Sequence, residues 1–266
     1  MREWPTSKMP IMRFASLGSG SEGNGLVVQS GATCVLIDCG FKVSDTVARL
    51  ARLQLSPDDL NGIVVTHEHG DHISGVARLA RQYAIPVWLT HGTLRAQFKT
   101  LGSLAAVTEI DSHTAFNILN LRIQPYAVPH DANEPVQFVC SEGSKKLGVL
   151  TDTGRSTPHI EATLSGCDAL VLECNHDSGL LADSHYPYSL KQRVGGNYGH
   201  LNNADAAALL ARLDNSRLQH IVAAHLSRTN NTPQLAKQAL SSALNCAEDW
   251  VAVATQDEGL DWRVIL

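Results

Sequence analysis

Residues 62–72 read Gly-Ile-Val-Val-Thr-His-Glu-His-Gly-Asp-His, and the order of their characters decides the reading of the whole chain. GIVVT (62–66) is a short, continuous apolar run, the signature of a strand buried on both faces. Three histidines and an aspartate follow within the next six residues, His67 to His72. Residues 72–83 then return to apolar spacing of helical period. A strand end holds such a loop rigid, and the helix after it fixes Asp71 and His72. Imidazole nitrogens and carboxylate oxygens at this density suit a borderline divalent metal. Without a metal, so many buried bases would lose their solvation with nothing in return.

Working outward, the same arrangement of apolar strand and then functional group recurs. Asp38 ends ATCVLID, His130 follows LRIQPYAVP, Asp152 follows KKLGVLT, and His225 follows HIVAA. The carboxyl ends of strands are where α/β proteins collect functional groups. A single strand-end histidine is ordinarily a structural hydrogen-bonder; four such elements in order make all of them candidate ligands.

The intervening chain alternates strands and helices. Strands are expected at 11–17, 25–30 and 33–38, with a turn at Ser30-Gly31, and at 86–90. Helices are expected at 44–53, N-capped by Ser44, and at 92–99. From about 104 the pattern is strand-rich, with strands at 121–128, 136–142 and 145–151, and another at 169–173. Residues 177–199 read as irregular or partly helical. Helices follow at 203–213 and 233–246, the latter opened by Thr232 and Pro233. Strands at 220–224, 250–254 and 261–265 complete the pattern. No internal repeat aligns by eye. The expected fold is α/β: a four-layer αββα sandwich, two mixed sheets packed face to face with helices outside, over residues 11–266 after a tail at 1–10.

Net charge is −5, which excludes a protein that holds nucleic acid mainly by bulk charge. Local basic pairs remain: Arg78 with Arg81, Lys145 with Lys146, and Lys191 with Arg193. No apolar run is long enough to span a membrane, and the first ten residues lack a signal-peptide core, so a cytoplasmic location is expected. The six cysteines form no CxxC pair and read as buried free thiols of a reducing compartment.

Two other features admit structural and functional readings. The stretch 18–25 lacks the Gly-Lys-Ser/Thr ending of a nucleotide-binding loop. It is either a turn or a cradle in which Ser19, Ser21, Asn24 and backbone N–H groups meet a phosphate. His176 and His200 either bond to carbonyls or face a substrate phosphate.

The ordered set Asp38, His67-Glu68-His69-Gly70-Asp71-His72, His130, Asp152 and His225 resembles the metallo-β-lactamase superfamily over nearly the whole chain. The resemblance implies the αββα sandwich and two divalent metal ions, zinc or manganese, with iron also compatible. It implies that His67, His69 and His130 hold one ion and that Asp71, His72 and His225 hold the other. Asp152 would bridge them, and Asp38 would support from behind. β-Lactamases of this fold often carry Cys where Asp152 stands, so the resemblance is to the hydrolase and phosphodiesterase branches.

Residues 19–24 (SGSEGN), 173–177 (ECNHD), 199–203 (GHLNN) and 225–231 (HLSRTNN) are similar to the YycJ/WalJ-like branch, associated with 5′–3′ exonuclease activity on DNA. The expectation that follows is a phosphodiesterase on DNA ends, with no membrane partner. A metal-bridging hydroxide oriented by Asp71 and Asp152 would attack phosphorus. His200 or His176 would be the general acid, and Ser19, Ser21, Asn24, Asn175 and Ser227 would contact substrate. A small-molecule hydrolase acting on a cyclic nucleotide, thioester or lactone would use the same ligands. A non-hydrolytic metal protein fits less well, since structural zinc sites are closed and often Cys-rich.

Overall fold

Several strands of the chain are buried at every position, Thr33–Ile37 and Ala169–Glu173 among them, so both of their faces must be covered. The computed structural model describes residues 11–101 and 103–266; the tail expected at 1–10 lies outside the described residues. The first sheet contains β1 (Met12–Gly18), β2 (Gly25–Ser30), β3 (Thr33–Ile37), β4 (Gly62–Val64), β5 (Val87–Thr90) and β6 (Val107–Ile110) in that order. The second contains β7 (Phe116–Ile118), β8 (Leu121–Ala127), β9 (Val136–Glu142), β10 (Lys145–Leu150), β11 (Ala169–Glu173), β12 (His220–Ala224) and β13 (Val251–Val253) in order. The last strand, β14 (Leu260–Ile265), returns to pair with β1, giving seven strands in each sheet.

Both sheets are mixed in the same way. Pairing is antiparallel up to β3 in one and β10 in the other, and parallel beyond. Side chains alternate between faces along each strand. Phe14, Val28, Val35 and Ile37 therefore meet Ile123, Phe138, Val149 and Val171 in one central core between the sheets. The opposite faces take the intervening residues. Ala15, Val27 and Leu36 pack under α1 (Val43–Arg52) and under the helices following β4, α2 (Gly70–Ile73) and α3 (Val76–Tyr83). Two short helices, α4 (His91–Ala96) and α5 (Phe98–Leu101), join β5 to β6. Leu150, Leu170 and Ala223 pack under α6 (Pro158–Leu164), α9 (Asn203–Arg212) and α10 (Pro233–Leu244). Between β11 and α9 lie α7 (Ser178–Asp183) and α8 (Tyr188–Val194). The result is the four-layer sandwich read from the sequence.

Three local expectations need correction. The helix expected at 72–83 is two pieces, because the carbonyls that would carry it through are already engaged. Asp71 O accepts from Asn24 N (2.7 Å), His72 O accepts from Cys39 N (2.8 Å), and Gly75 N donates to Cys39 O (2.8 Å). The N-cap of α1 is Lys42 rather than Ser44, since Thr46 N already bonds Lys42 O (2.9 Å). Helix α6 was not expected, although Thr157 and Pro158 open it as Thr232 and Pro233 open α10.

Candidate metal centre

Every candidate ligand sits past the carboxyl end of a strand or, for Asp71 and His72, in the short helix α2 that follows one, so the crossovers of both sheets deliver them to one rim. Three of these residues, Asp38, Asp152 and His225, are non-glycine residues with φ of 61°, 54° and 56°. A left-handed residue directly after a strand turns the chain sharply and aims the side chain along the rim. This conformation costs on the order of 1–2 kcal/mol and persists where the surroundings enforce it.

Two groups of donors converge. In the first, His67 Nε2 and His130 Nε2 lie 3.0 and 3.2 Å from His69 Nδ1. Facing imidazole nitrogens this close repel unless a shared cation or proton lies between them. The far nitrogens are tied back: His130 Nδ1 donates to Gly199 O (3.0 Å), and His67 Nδ1 meets Thr66 Oγ1 (2.9 Å). Those bonds fix ring orientation and leave the inward nitrogens as acceptors.

The second group is Asp71, His72, Asp152 and His225. His72 Nδ1 donates to Asp38 Oδ2 at 2.8 Å, so its Nε2 faces Asp152 Oδ2 (3.1 Å) and Asp71 Oδ2 (3.4 Å). His225 Nε2 lies 3.3 Å from Asp71 Oδ2 and 3.4 Å from Asp152 Oδ1. The two groups adjoin, with the rings of His67 and His72 centred 4.3 Å apart. Burial opposes charge on His72, but Asp152, Asp38 and Asp71 outweigh it and hold its pKa well above the ordinary range. On Asp152 burial is likewise outweighed, by His225 and His72, and the carboxyl is held far below its usual value.

The donor set fits two divalent ions. All seven candidate ligands offer nitrogen or carboxylate oxygen, the mixture that borderline first-row metals take. His72 Nε2 can donate to the fully buried Asp152 Oδ2 only while the ring is protonated; with His72 neutral and its Nδ1–H on Asp38, that oxygen has no hydrogen-bond donor among the described residues. An anionic oxygen left so is costly unless a cation meets it. His67, His69 and His130 would hold one ion, and Asp71, His72 and His225 the other. Asp152 falls geometrically with the second group.

Behind this rim stands Glu173, a residue that sequence reading left out of the ligand and support set. Its Oε1 accepts from His200 Nδ1 (2.7 Å) and lies 3.5 Å from His225 Nδ1, while Oε2 accepts from Thr153 N (2.9 Å) and Leu201 N (3.2 Å). Burial pushes its pKa up, but the charge and hydrogen bond of His200 prevail and bring it down to about 2. The signal was present: Glu173 is the one charged residue of ALVLE, at the strand end where Asp38 and Asp152 were found.

The remaining expected residues divide. His200 joins Asp152, Glu173 and His225 in a third cluster. His176 belongs to none of the three clusters. It is 2% exposed, bridges Asn202 through its backbone, and meets Asn175 Oδ1 through Nδ1 (3.3 Å). Ser19 and Asn24 are turned inward, away from the phosphate cradle expected of them. Ser19 Oγ accepts from His225 N (2.9 Å), and Asn24 Nδ2 donates to Asp71 Oδ2 (3.2 Å). Asn175 Nδ2 donates to His225 O (3.0 Å), and Ser227 Oγ accepts from Asn230 N (3.2 Å). These four hold the ligand loops in place, and only Ser21 of the five stays exposed.

Comparison with known proteins agrees with this geometry. Residues 33–221 match the model of the β-lactamase superfamily domain. The chain belongs to the metallo-β-lactamase superfamily. Within that superfamily it is 34% identical over 239 residues to "Exodeoxyribonuclease YycJ" of Bacillus anthracis, covering 88% of this chain and 89% of that protein. It is 32% identical over 247 residues to "Exodeoxyribonuclease WalJ" of Streptococcus pneumoniae serotype 2, covering 91% of each. Among solved structures, the metallo-β-lactamase fold protein YhfI of Bacillus subtilis superposes with a TM-score of 0.76 at 16% identity. That likeness covers 97% of this chain and all of that one, and speaks for the fold alone. This member of the superfamily is a hydrolase with a candidate dinuclear metal site. No helix of the described residues is long and apolar enough to cross a membrane.

Proposed function

We propose that this chain is a metal-dependent phosphodiesterase that removes nucleotides from DNA ends in the 5′–3′ direction, in the cytoplasm. The observation that carries the reading is similarity over nine-tenths of the chain to proteins named exodeoxyribonucleases. A rim whose donors are all imidazole nitrogen and carboxylate oxygen is compatible with it. When bound, two divalent ions would supply Lewis-acid polarisation of a phosphoryl oxygen and a water of lowered pKa.

The chain's own residues do the rest. Asp71 and Asp152 accept hydrogen bonds from the attacking water and keep it aligned, and its proton leaves to solvent. Asn24 holds Asp71 by its Oδ2, and Ser19 holds the backbone of His225, so the rim is ordered before substrate arrives. His200 is the general acid. Its Nδ1 is committed to Glu173 at 2.7 Å, which leaves Nε2 to protonate the leaving oxygen. His176 has no such placement and is given no catalytic role.

The test is digestion of 5′-phosphorylated linear DNA with Mn²⁺ or Zn²⁺ added, beside an Asp71→Ala control. Nucleotide release from the 5′ end by the wild type alone is the expected result. A protein that binds two metal ions and cleaves neither DNA nor RNA would overturn the reading in favour of a small-molecule ester or phosphodiester.

A further inference from the structure

A cleft of about 830 Å³ is not the metal rim but a neighbour of it, lying between the start of α1 and the length of α3. Its floor is the segment 40–45 and its wall runs from Ser74 to Gln82. Helix α1 begins soon after the strand end that carries Asp38, and α3 follows α2 in the segment after His67, so one end of the cleft lies beside the segments that carry the candidate ligands. A short chain of bonds joins the two places. Asn24 N donates to Asp71 O (2.7 Å), Gly40 N donates to Asn24 O (2.9 Å), and Ser74 Oγ donates to Gly40 O (2.9 Å).

Three cations line this cleft. Lys42 and Arg78 are exposed, and their side chains make no hydrogen bond or ion pair among the described residues. Arg81 donates only to neutral oxygens, Thr100 O and Ser103 Oγ, and keeps its charge uncompensated. Of the acids on the rim, Glu22 is drawn toward Arg228 at 3.3 Å, and Asp45 accepts from Ser44 Oγ at 3.3 Å. Three cations against two carboxylates, one of them paired with Arg228, leave the cleft net positive in a protein whose overall charge is −5. Charge of this kind, placed against the trend of the whole molecule, recruits a polyanion locally.

We propose that this cleft is a subsite for the DNA backbone, in which Lys42, Arg78 and Arg81 take phosphates away from the scissile bond. The inference rests on the nuclease reading above and deepens it. The subsite explains how an acidic protein could hold DNA without a basic face. It serves as a track that keeps the strand in register with the rim, and it reads no base, because phosphate contacts position without specifying sequence.

The test compares a Lys42→Ala/Arg78→Ala protein with a Lys145→Ala/Lys146→Ala protein. The second removes the same charge at the start of β10, the end of the strand opposite the candidate site. Binding of a short, 5′-phosphorylated, phosphorothioate-linked single strand is followed by fluorescence anisotropy over a range of salt. For the cleft variant the affinity is expected to fall about ten-fold, with the log–log salt slope shallower by about 1.4, roughly 0.7 for each phosphate no longer neutralised. The control pair should keep the wild-type slope. Cleavage of bis(p-nitrophenyl) phosphate, too small to reach the cleft, should stay within about two-fold for both variants. Equal slopes for the two double variants would overturn the subsite while leaving the nuclease reading intact. A wild-type protein that neither binds nor degrades DNA would overturn both.

Discussion

The two sheets are built to one plan and put to different uses. In the first, Val35-Leu36-Ile37-Asp38-Cys39-Gly40 runs down the strand at which pairing changes from antiparallel to parallel. In the second, Val149-Leu150-Thr151-Asp152-Thr153-Gly154 does the same. Both aspartates adopt the left-handed conformation, at φ 61° and 54°. Both glycines stand where a Cβ would strike backbone, that of Asp71 at Gly40 and that of Asn197 at Gly154. What differs is the company each carboxylate keeps. Asp38 accepts from Thr66 N, Thr66 Oγ1 and His72 Nδ1, each at 2.8 Å. Asp152 is left with a buried oxygen that, with His72 neutral, accepts from no donor among the described residues. One backbone device therefore yields a saturated support in one half and an unsatisfied anionic face in the other. The next parallel strand decides which, by bringing Thr66 to the first aspartate and no equivalent donor to the second.

The largest effect should come from Asp152. Asp152→Ala is expected to cost on the order of 10³-fold or more in kcat on DNA. It should also lower metal content measured by inductively coupled plasma mass spectrometry, with the fold retained by circular dichroism. Full activity would dissolve the distinction between the halves. Asp38→Ala should behave differently. Loss of the three bonds to Asp38, two from Thr66 and one from the fully buried His72, should cost about 3 kcal/mol, a drop of roughly 6–10 °C in Tm by calorimetry. Metal affinity should fall about 10–100-fold, and excess metal should restore much of the activity, as it would not for Asp152→Ala.

A smaller change sharpens the role of the second sheet. Glu173→Gln should lower kcat by about 100-fold while leaving metal content and KM nearly unchanged, because it loosens His200 and weakens proton donation. An equal loss of bound metal would show instead that Glu173 acts only through His225.

The smallest effect, that of His176→Ala, comes from a pair linked by register. Val35 pairs with Gly62 and Val149 with Val171, and five residues beyond these partners lie His67 and His176. The two histidines occupy corresponding places, yet only His67 faces other candidate ligands. His67→Ala should remove about one equivalent of metal. His176→Ala should keep both metal content and activity within about three-fold in the same assays.

Much of this was legible in the sequence for a definite physical reason. Strands buried on both faces leave unbroken apolar runs, and functional groups placed at their ends follow directly in the chain. HEHGDH, Asp38, Asp152 and His225 could be read off in that way, as could the layer order of the sandwich. The correspondence of the two halves was hidden, because it lies in pairing direction and register, and the shared Val-Leu-x-Asp-x-Gly is too short to stand out. Helix α6 escaped although its Thr-Pro start was visible.

What the sequence determined by itself was the inventory: which residues could bind metal and which strands would carry them, since both are local properties of composition and spacing. Tertiary structure alone decided their employment. It turned Ser19 and Asn24 inward to brace His225 and Asp71, and it set Glu173 behind His200. It left His176 against Asn202 and placed Lys42 beside Arg78 across a cleft. A side chain's role depends on which partner saturates it, and those partners arrive from strands and helices distant in the chain.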